Sequence, residues 1–414
     1  MNGSLREIHL QGIKAIKEVN LLNYCSWPIE VEQEFLASKG ERKVISVNYN
    51  KPDFSENKKV LEALLPSLSV EDPLEVYTRK TIKSYIHTID MISSIGTSDF
   101  QDLGIEVYGT PSVMQFGRKF SHLDMANKIL QIYKEFDHSY LKDPEICFSS
   151  KEIIEDLQKR SFEVLGEDTP RFVEDAALTS KAAAGMSRIR LRKGTCFSEY
   201  DFNQLFEHEV MTHSLTAING SKQELPLFGS GAPRTTKTQE GLATFSEIIT
   251  GNMDILRLKR LALRIVGIDK ALKGADFYDL YDFFMSYGQN EKESFLSASR
   301  VLRGGTAKGG IVFTKDNVYL EGLFMVHSFF LWALHTSNLD CIHILFSGRV
   351  DIEDIFLLKD EFEKGNLKKP KYLPNWYKNI NLLVGKISFS LLLDNLNMKE
   401  VDSYFSKLQS NYHS

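Results

Sequence analysis

The stretch FEHEVMTHSLTAINGS, residues 206–221, holds two histidines five positions apart, with a glutamate directly after the first. Zinc-peptidase helices commonly space their histidines by four, which sets both imidazoles on one face. On an ideal α-helix, positions four apart differ by ~40° in azimuth and positions five apart by ~140°. His208 and His213 can therefore share a metal only if the helix takes up one extra residue, as a π-bulge does, often at functional sites. The alternative is a coincidence in an ordinary helix.

On the metal reading, two imidazoles still need a third protein ligand, with the fourth zinc position left to water. The stretch TQEGLATFSEI, residues 238–248, offers it. Glu240 and Glu247 lie seven apart, nearly two turns, and so share a helix face. Glu240 adjoins Gly241, where no side chain blocks approach, and is the better ligand candidate. Glu247 either orients a ligand from behind or is a solvated acid. Glu209, placed beside a metal-acidified water, has the makings of a general base that returns its proton to a leaving amine. His327, His335 and His343 are spread over apolar helical surface and read as core or boundary residues.

A chain of 414 residues is long for one core and suggests two or three domains. With 43% apolar and 25% charged residues it is of globular type and can bury a substantial core. The net charge of −5 indicates no global attraction to nucleic acid or to an anionic membrane, so neither is an expected partner. No run reaches ~18 uncharged apolar residues, as a membrane helix needs. The first residues mix charges through their apolar positions, unlike a secretion signal. Cys25, Cys147, Cys196 and Cys341 form no CxxC pair and read as reduced, mostly buried thiols of a soluble, cytoplasmic protein.

Residues 1–150 show mostly helical periodicity, as in RKTIKSYIHTIDMISSIG, and read as a helical region packing on a catalytic domain at 151–414. SKEIIEDLQKRSFEVLG, residues 150–166, passes from helix toward a possible strand. MSRIRLRKG, residues 186–194, alternates apolar residues with arginines, the pattern of a half-buried strand. Its charges suit a sheet edge. Such an edge could pair with a substrate backbone, with Arg190 and its neighbours attracting an acidic tail, or could simply be protected against stray pairing.

Three blocks resemble one family: HEVMTHSLTAINGSKQELPLF at 208–228, TQEGLATFSE at 238–247 and RVLRGGTAKGGIVFTKDNVYLEGL at 300–323. They are similar to the bacterial QEGLA-motif proteins and their eukaryotic relatives, the microtubule-associated tyrosine carboxypeptidases. Residues 79–112 resemble that family's N-terminal region, and IHILFSGRVDIEDIFLLKDEF with KPKYLPNWY its C-terminal region. The resemblance implies a predominantly helical α+β fold, a zincin-like metallopeptidase domain with a small mixed sheet preceded by a helical N-terminal region. It further implies a zinc carboxypeptidase, removing tyrosine from tubulin in the eukaryotic members. His208, His213 and Glu240 match the ligands and Glu209 the catalytic glutamate. Met211 stands where the family usually has glycine, a departure that bears on the helix geometry and not on the ligand set.

A carboxypeptidase needs an anchor for the terminal carboxylate and a donor for the oxyanion. Arg303 could bind a carboxylate through two parallel N–H bonds, Lys315 as a point charge, and Tyr319 could serve the oxyanion. Lys308 reads rather as a solvated loop lysine. GGTAKGG is no phosphate loop, since Lys308 is followed by Gly309. The expected activity is zinc-dependent release of a C-terminal residue, tyrosine or another aromatic, from a peptide or protein tail, with an acidic tubulin-like tail as one candidate. A zinc endopeptidase or dipeptidase, or a non-catalytic zinc-binding regulatory protein, is the alternative. Oligomeric state is not legible.

Overall fold

The computed structural model describes residues 3–38, 41–114, 120–136, 146–178 and 180–393. The fold is predominantly helical α+β with one small mixed sheet. The strands are β1 Arg171–Asp175, β2 Ala182–Ala184 and β3 Arg188–Arg192. The helices that position the site are α1 Pro73–Ser93, α2 Ser150–Leu165, α3 Glu199–Leu205 and α4 Thr236–Ile249, then α5 Ile255–Leu272, α6 Glu291–Val301, α7 Val318–His335 and α8 Ile352–Glu363.

Local chemistry accounts for the boundaries. Asp72 accepts from the amides of Leu74 and Glu75, both at 3.0 Å, with Pro73 at the first helical position of α1. Ser149 and Glu152 form a capping box at α2. The expected passage from helix to strand within residues 150–166 does not occur. Ile153, Leu157, Ser161 and Leu165 are buried at four-residue intervals, so α2 runs through to Leu165.

The alternation in residues 188–192 is that of a strand, with Ile189 and Leu191 fully buried. The strand is nevertheless central and not an edge. β3 pairs in parallel with β1 and antiparallel with β2, giving the order β1-β3-β2. Alternation reports which face is buried; it carries no information on how many neighbours a strand has. The free edges belong to β1 and β2.

Two compact units are distinguished, Met1–Leu373 and Pro374–Ser414. In the first, residues before 150 share a core with residues far along the chain. Trp27 donates to the Leu302 carbonyl at 3.1 Å, and Tyr77 stacks on Phe228 at 4.1 Å between ring centroids. Asp354 of α8, fully buried, is held by Lys80 of α1 and by Arg234. In the second unit the described residues form helices Asn375–Lys378 and Ile380–Leu393.

The thiol reading holds for Cys25 and Cys341, both free and buried, and fails for the other pair. Cys147 and Cys196 form a disulfide. They stand beside Phe148 and Phe197, whose backbones exchange hydrogen bonds of 2.8 and 3.1 Å across an isolated bridge. Their separation of 49 residues hides this pairing from sequence.

The segment Thr314–His335 is long and apolar enough to cross a membrane by length and composition, yet 56% of its most apolar window is buried inside the protein. An all-round apolar helix of this kind serves as a core element. Here α7 crosses α4 at two glycines. A Cβ added to Gly241 would fall 2.3 Å from the Gly322 backbone, and one on Gly322 would fall 2.2 Å from the Lys237 carbonyl oxygen. Gly241 thus permits close helix contact, and Glu240 projects from that contact point. Gly241→Ala should lower stability by about 3 kcal/mol, the upper end of ordinary overpacking, because backbone and not a flexible side chain must move. A denaturation midpoint equal to wild type would show that the helices tolerate separation.

Candidate metal centre and active site

Phe206–Ser214 is a π-helix, continuous with α3 before it and with an α-helical turn, Leu215–Ser221, after it. The side chains support the widening. Thr212 Oγ1 donates to the Glu207 carbonyl five residues back at 3.0 Å, and Thr216 Oγ1 to the Thr212 carbonyl at 2.8 Å. With bonding to the fifth residue, positions five apart come into near alignment. The rings of His208 and His213 accordingly meet at 4.9 Å between centroids. Met211, 1% exposed, points into the core, so the turn forms without glycine there.

Glu240 of α4 completes the group. Its Oε2 lies 3.5 Å from His208 Nε2 and 3.6 Å from His213 Nε2, and one donor atom from each residue lies within 4.8 Å of the others. These separations exceed a hydrogen bond. They match ligands on a common cation, since two atoms each ~2.0–2.2 Å from a tetrahedral zinc stand about 3.4 Å apart. Among the described residues Glu240 Oε2 is buried without a hydrogen-bond partner, an orphaned acceptor facing two imidazole nitrogens. A two-nitrogen, one-oxygen set of this shape could hold a zinc ion. Glu240 Oε1 accepts from Lys315 Nζ at 3.0 Å.

Behind His208, its Nδ1 donates to Glu247 Oε1 at 2.6 Å, which leaves the Nε2 lone pair for the centre. Glu247 is fully buried and receives Arg257 Nε at 3.1 Å, Arg257 Nη2 at 3.0 Å and Gln204 Nε2 at 2.9 Å. Burial opposes its ionisation, but Arg257 and His208 prevail and hold it at about 2. For His208 burial likewise opposes charge, yet Glu240 and Glu247 push it up to about 10. The acids therefore favour a positive charge at this point, which a bound metal ion could supply in place of the proton.

Glu209 is 7% exposed and has no hydrogen bond or ion pair among the described residues. Its charge is felt at His208 and at Arg349, whose Nη2 donates to the His213 carbonyl at 3.4 Å. Tyr319, on α7, accepts from Arg300 Nη2 at 3.3 Å, and Lys315 Nζ lies 5.4 Å from its ring centroid. Arg190 pairs with Asp175 on the sheet at 3.1 Å. Arg303, 4% exposed, lines a cleft with Trp27, Phe295, Lys292 and Arg192 that includes none of His208, Glu209, His213 or Glu240.

Sequence reading missed Arg257, Arg264 and Arg300. For the first two a signal existed: Arg257, Arg260 and Arg264 recur at helical spacing within α5. Arg300 pairs with Asp316, sixteen residues on, and no local pattern reveals that. Glu247→Gln should weaken zinc binding ~10–100-fold, the usual effect of losing the partner that orients a histidine ligand. Competition with a chelator measures this, and an unchanged affinity would reduce Glu247 to a structural acid.

No curated protein matches the chain. Its residues 33–395 match the description of one family over most of the length. That span contains the π turn, α4 and the segment bearing Lys315 and Tyr319. The chain belongs to the microtubule-associated tyrosine carboxypeptidase family.

Proposed function

We propose that this protein is a zinc-dependent metallocarboxypeptidase that hydrolyses the last peptide bond of a peptide or protein and releases tyrosine or another aromatic residue. The family carries the carboxypeptidase activity. The observation that carries the zinc chemistry is the orphaned Glu240 oxygen facing both imidazoles, with the unpaired Glu209 carboxylate on the same turn. A zinc ion held by His208, His213 and Glu240 would supply Lewis acidity toward a peptide carbonyl and acidify a water.

Each remaining group has work consistent with its place. Glu247 keeps His208 in the tautomer that offers Nε2. Lys315 neutralises the outer oxygen of Glu240 and holds that carboxylate in orientation. Glu209, without a hydrogen bond or ion pair among the described residues, takes the proton of the attacking water and delivers it to the leaving amine. Tyr319 accepts a hydrogen bond from Arg300, which leaves its own proton to donate to a developing oxyanion. The cleft of Arg192, Lys193, Lys292 and Arg303, in which Glu32 pairs with Lys292, keeps a net positive lining that suits an acidic tail, and a tubulin-like C-terminus is such a tail. A structural zinc is usually closed by four protein ligands, and the described residues offer three here.

Glu209→Gln should leave fold and zinc content nearly intact while hydrolysis of a peptide ending in free tyrosine falls at least ~10²-fold. Glu240→Gln should lose zinc first. Full activity in Glu209→Gln would refute the assigned base, and equal cleavage of the C-terminally amidated peptide would make the enzyme an endopeptidase.

A further inference from the structure

The carboxypeptidase reading, on which this inference rests, requires a cation for the terminal carboxylate. Lys315 is engaged by Glu240, Arg190 by Asp175, and Arg303 is buried and lines the cleft beside Trp27 and Phe295. Around Tyr319 stand two further arginines. Arg300 places Nε and Nη2 on Asp316, and Nη2 also reaches the Tyr319 hydroxyl. Arg264 of α5 is differently placed. Its approach to an acid is Nε to Asp316 Oδ2 at 3.7 Å, too long for a hydrogen bond, and it makes none among the described residues. The guanidinium lies over the Tyr319 ring, 5.4 Å from the centroid.

Charge and access point the same way. Arg257 and Glu247 cancel, leaving Arg264, Arg300, Lys315 and Arg349 against Asp316, Glu240 and Glu209. A divalent ion would add to this small positive excess. Uncompensated charge in a desolvated site is unfavourable, so the cluster is completed by an anion. Arg264 is its most accessible cation, with 21% of the side chain exposed against 14% for Arg300, 13% for Arg257 and 11% for Lys315. It shares the Tyr319 ring with Lys315, each 5.4 Å from the centroid, and Lys315 holds Glu240. The terminal carboxylate of a substrate lies one residue, ~3.8 Å of chain, beyond the bond to be cut.

We propose that Arg264 is the anchor residue for the substrate's terminal carboxylate, binding it through paired N–H donors while Arg300 and Asp316 keep Tyr319 and the guanidinium in register. Burial and the neighbouring Arg300 pull Arg264 down to about 10, which leaves it charged at neutral pH. Arg349, which has no ion pair among the described residues, is a weaker candidate. It donates to the His213 backbone, and its guanidinium occupies the space beside Gly231, where a Cβ would lie 2.3 Å from Nη1.

The test compares wild type, Arg264→Gln, Arg264→Lys and Arg349→Gln, each zinc-loaded and checked by thermal unfolding. Two readouts are taken: kcat/KM on a peptide ending in free tyrosine and on its amidated twin, and equilibrium binding of N-acetyltyrosine and N-acetyltyrosinamide. Arg264→Gln should lower kcat/KM on the free peptide by about 10²-fold, as loss of one partner of a buried charge pair does. It should leave the amide unaffected and abolish the preference for N-acetyltyrosine. Arg264→Lys should keep part of that preference, and it carries the test if the glutamine variant does not fold. A wild-type preference retained in Arg264→Gln, or lost only in Arg349→Gln, would overturn the assignment. Selective N-acetyltyrosine binding that depends on Arg264 in a protein that hydrolyses neither peptide would uphold the anchor and refute the hydrolase.

Discussion

For two imidazoles five residues apart to face one point the helix must widen, because a regular α-helix cannot present them so. The π turn at Phe206–Ser214 meets this constraint, and much of the surrounding structure supports it. Thr212 and Thr216 take up carbonyls within the widened segment, and Arg349 reaches the His213 carbonyl from another part of the chain. Ser214 Oγ donates to the Gly185 carbonyl at 3.0 Å, which ties the turn to the end of β2. The site is therefore held on regular elements, where side-chain positions are more precise than on loops.

The second determinant is the contact between α4 and α7. Gly241 and Gly322 let two backbones approach closely, which brings Glu240 beside the π turn and places Lys315 and Tyr319 against it. One pair of residues without side chains thus couples the packing of a core to the position of the third donor. The hydrophobic effect supplies the force that drives the helices together, and the glycines set how near they come.

Electrostatics complete the arrangement in layers. His208 is backed by Glu247, which is backed by Arg257; Glu240 is backed by Lys315; Tyr319 is backed by Arg300, which is backed by Asp316. Buried ions survive only when paired and hydrogen-bonded, and here each pair also fixes the orientation of a group nearer the centre. At the outer end of this order Arg264 has the weakest pairing and the most exposure, as expected of a group whose partner arrives with a ligand.

The sequence by itself determined the local parts of this protein. The five-residue spacing of His208 and His213 called for a π turn if the two were to face one point, the seven-residue spacing of Glu240 and Glu247 put both on one face, and alternation at 188–192 marked a strand. These are short-range consequences of backbone period, and they need no knowledge of neighbours. Tertiary structure alone decided what depends on contacts across the chain. Alternation could not reveal that β3 is flanked on both sides, because pairing partners lie outside the strand. Nor could it join Cys147 to Cys196 across a separation of 49 residues, or show that Lys315 is engaged by Glu240 while Arg264 is left nearly free. Residue type states what a side chain can bond. Only packing decides which partners stand within hydrogen-bond reach, and so which charges remain for a substrate.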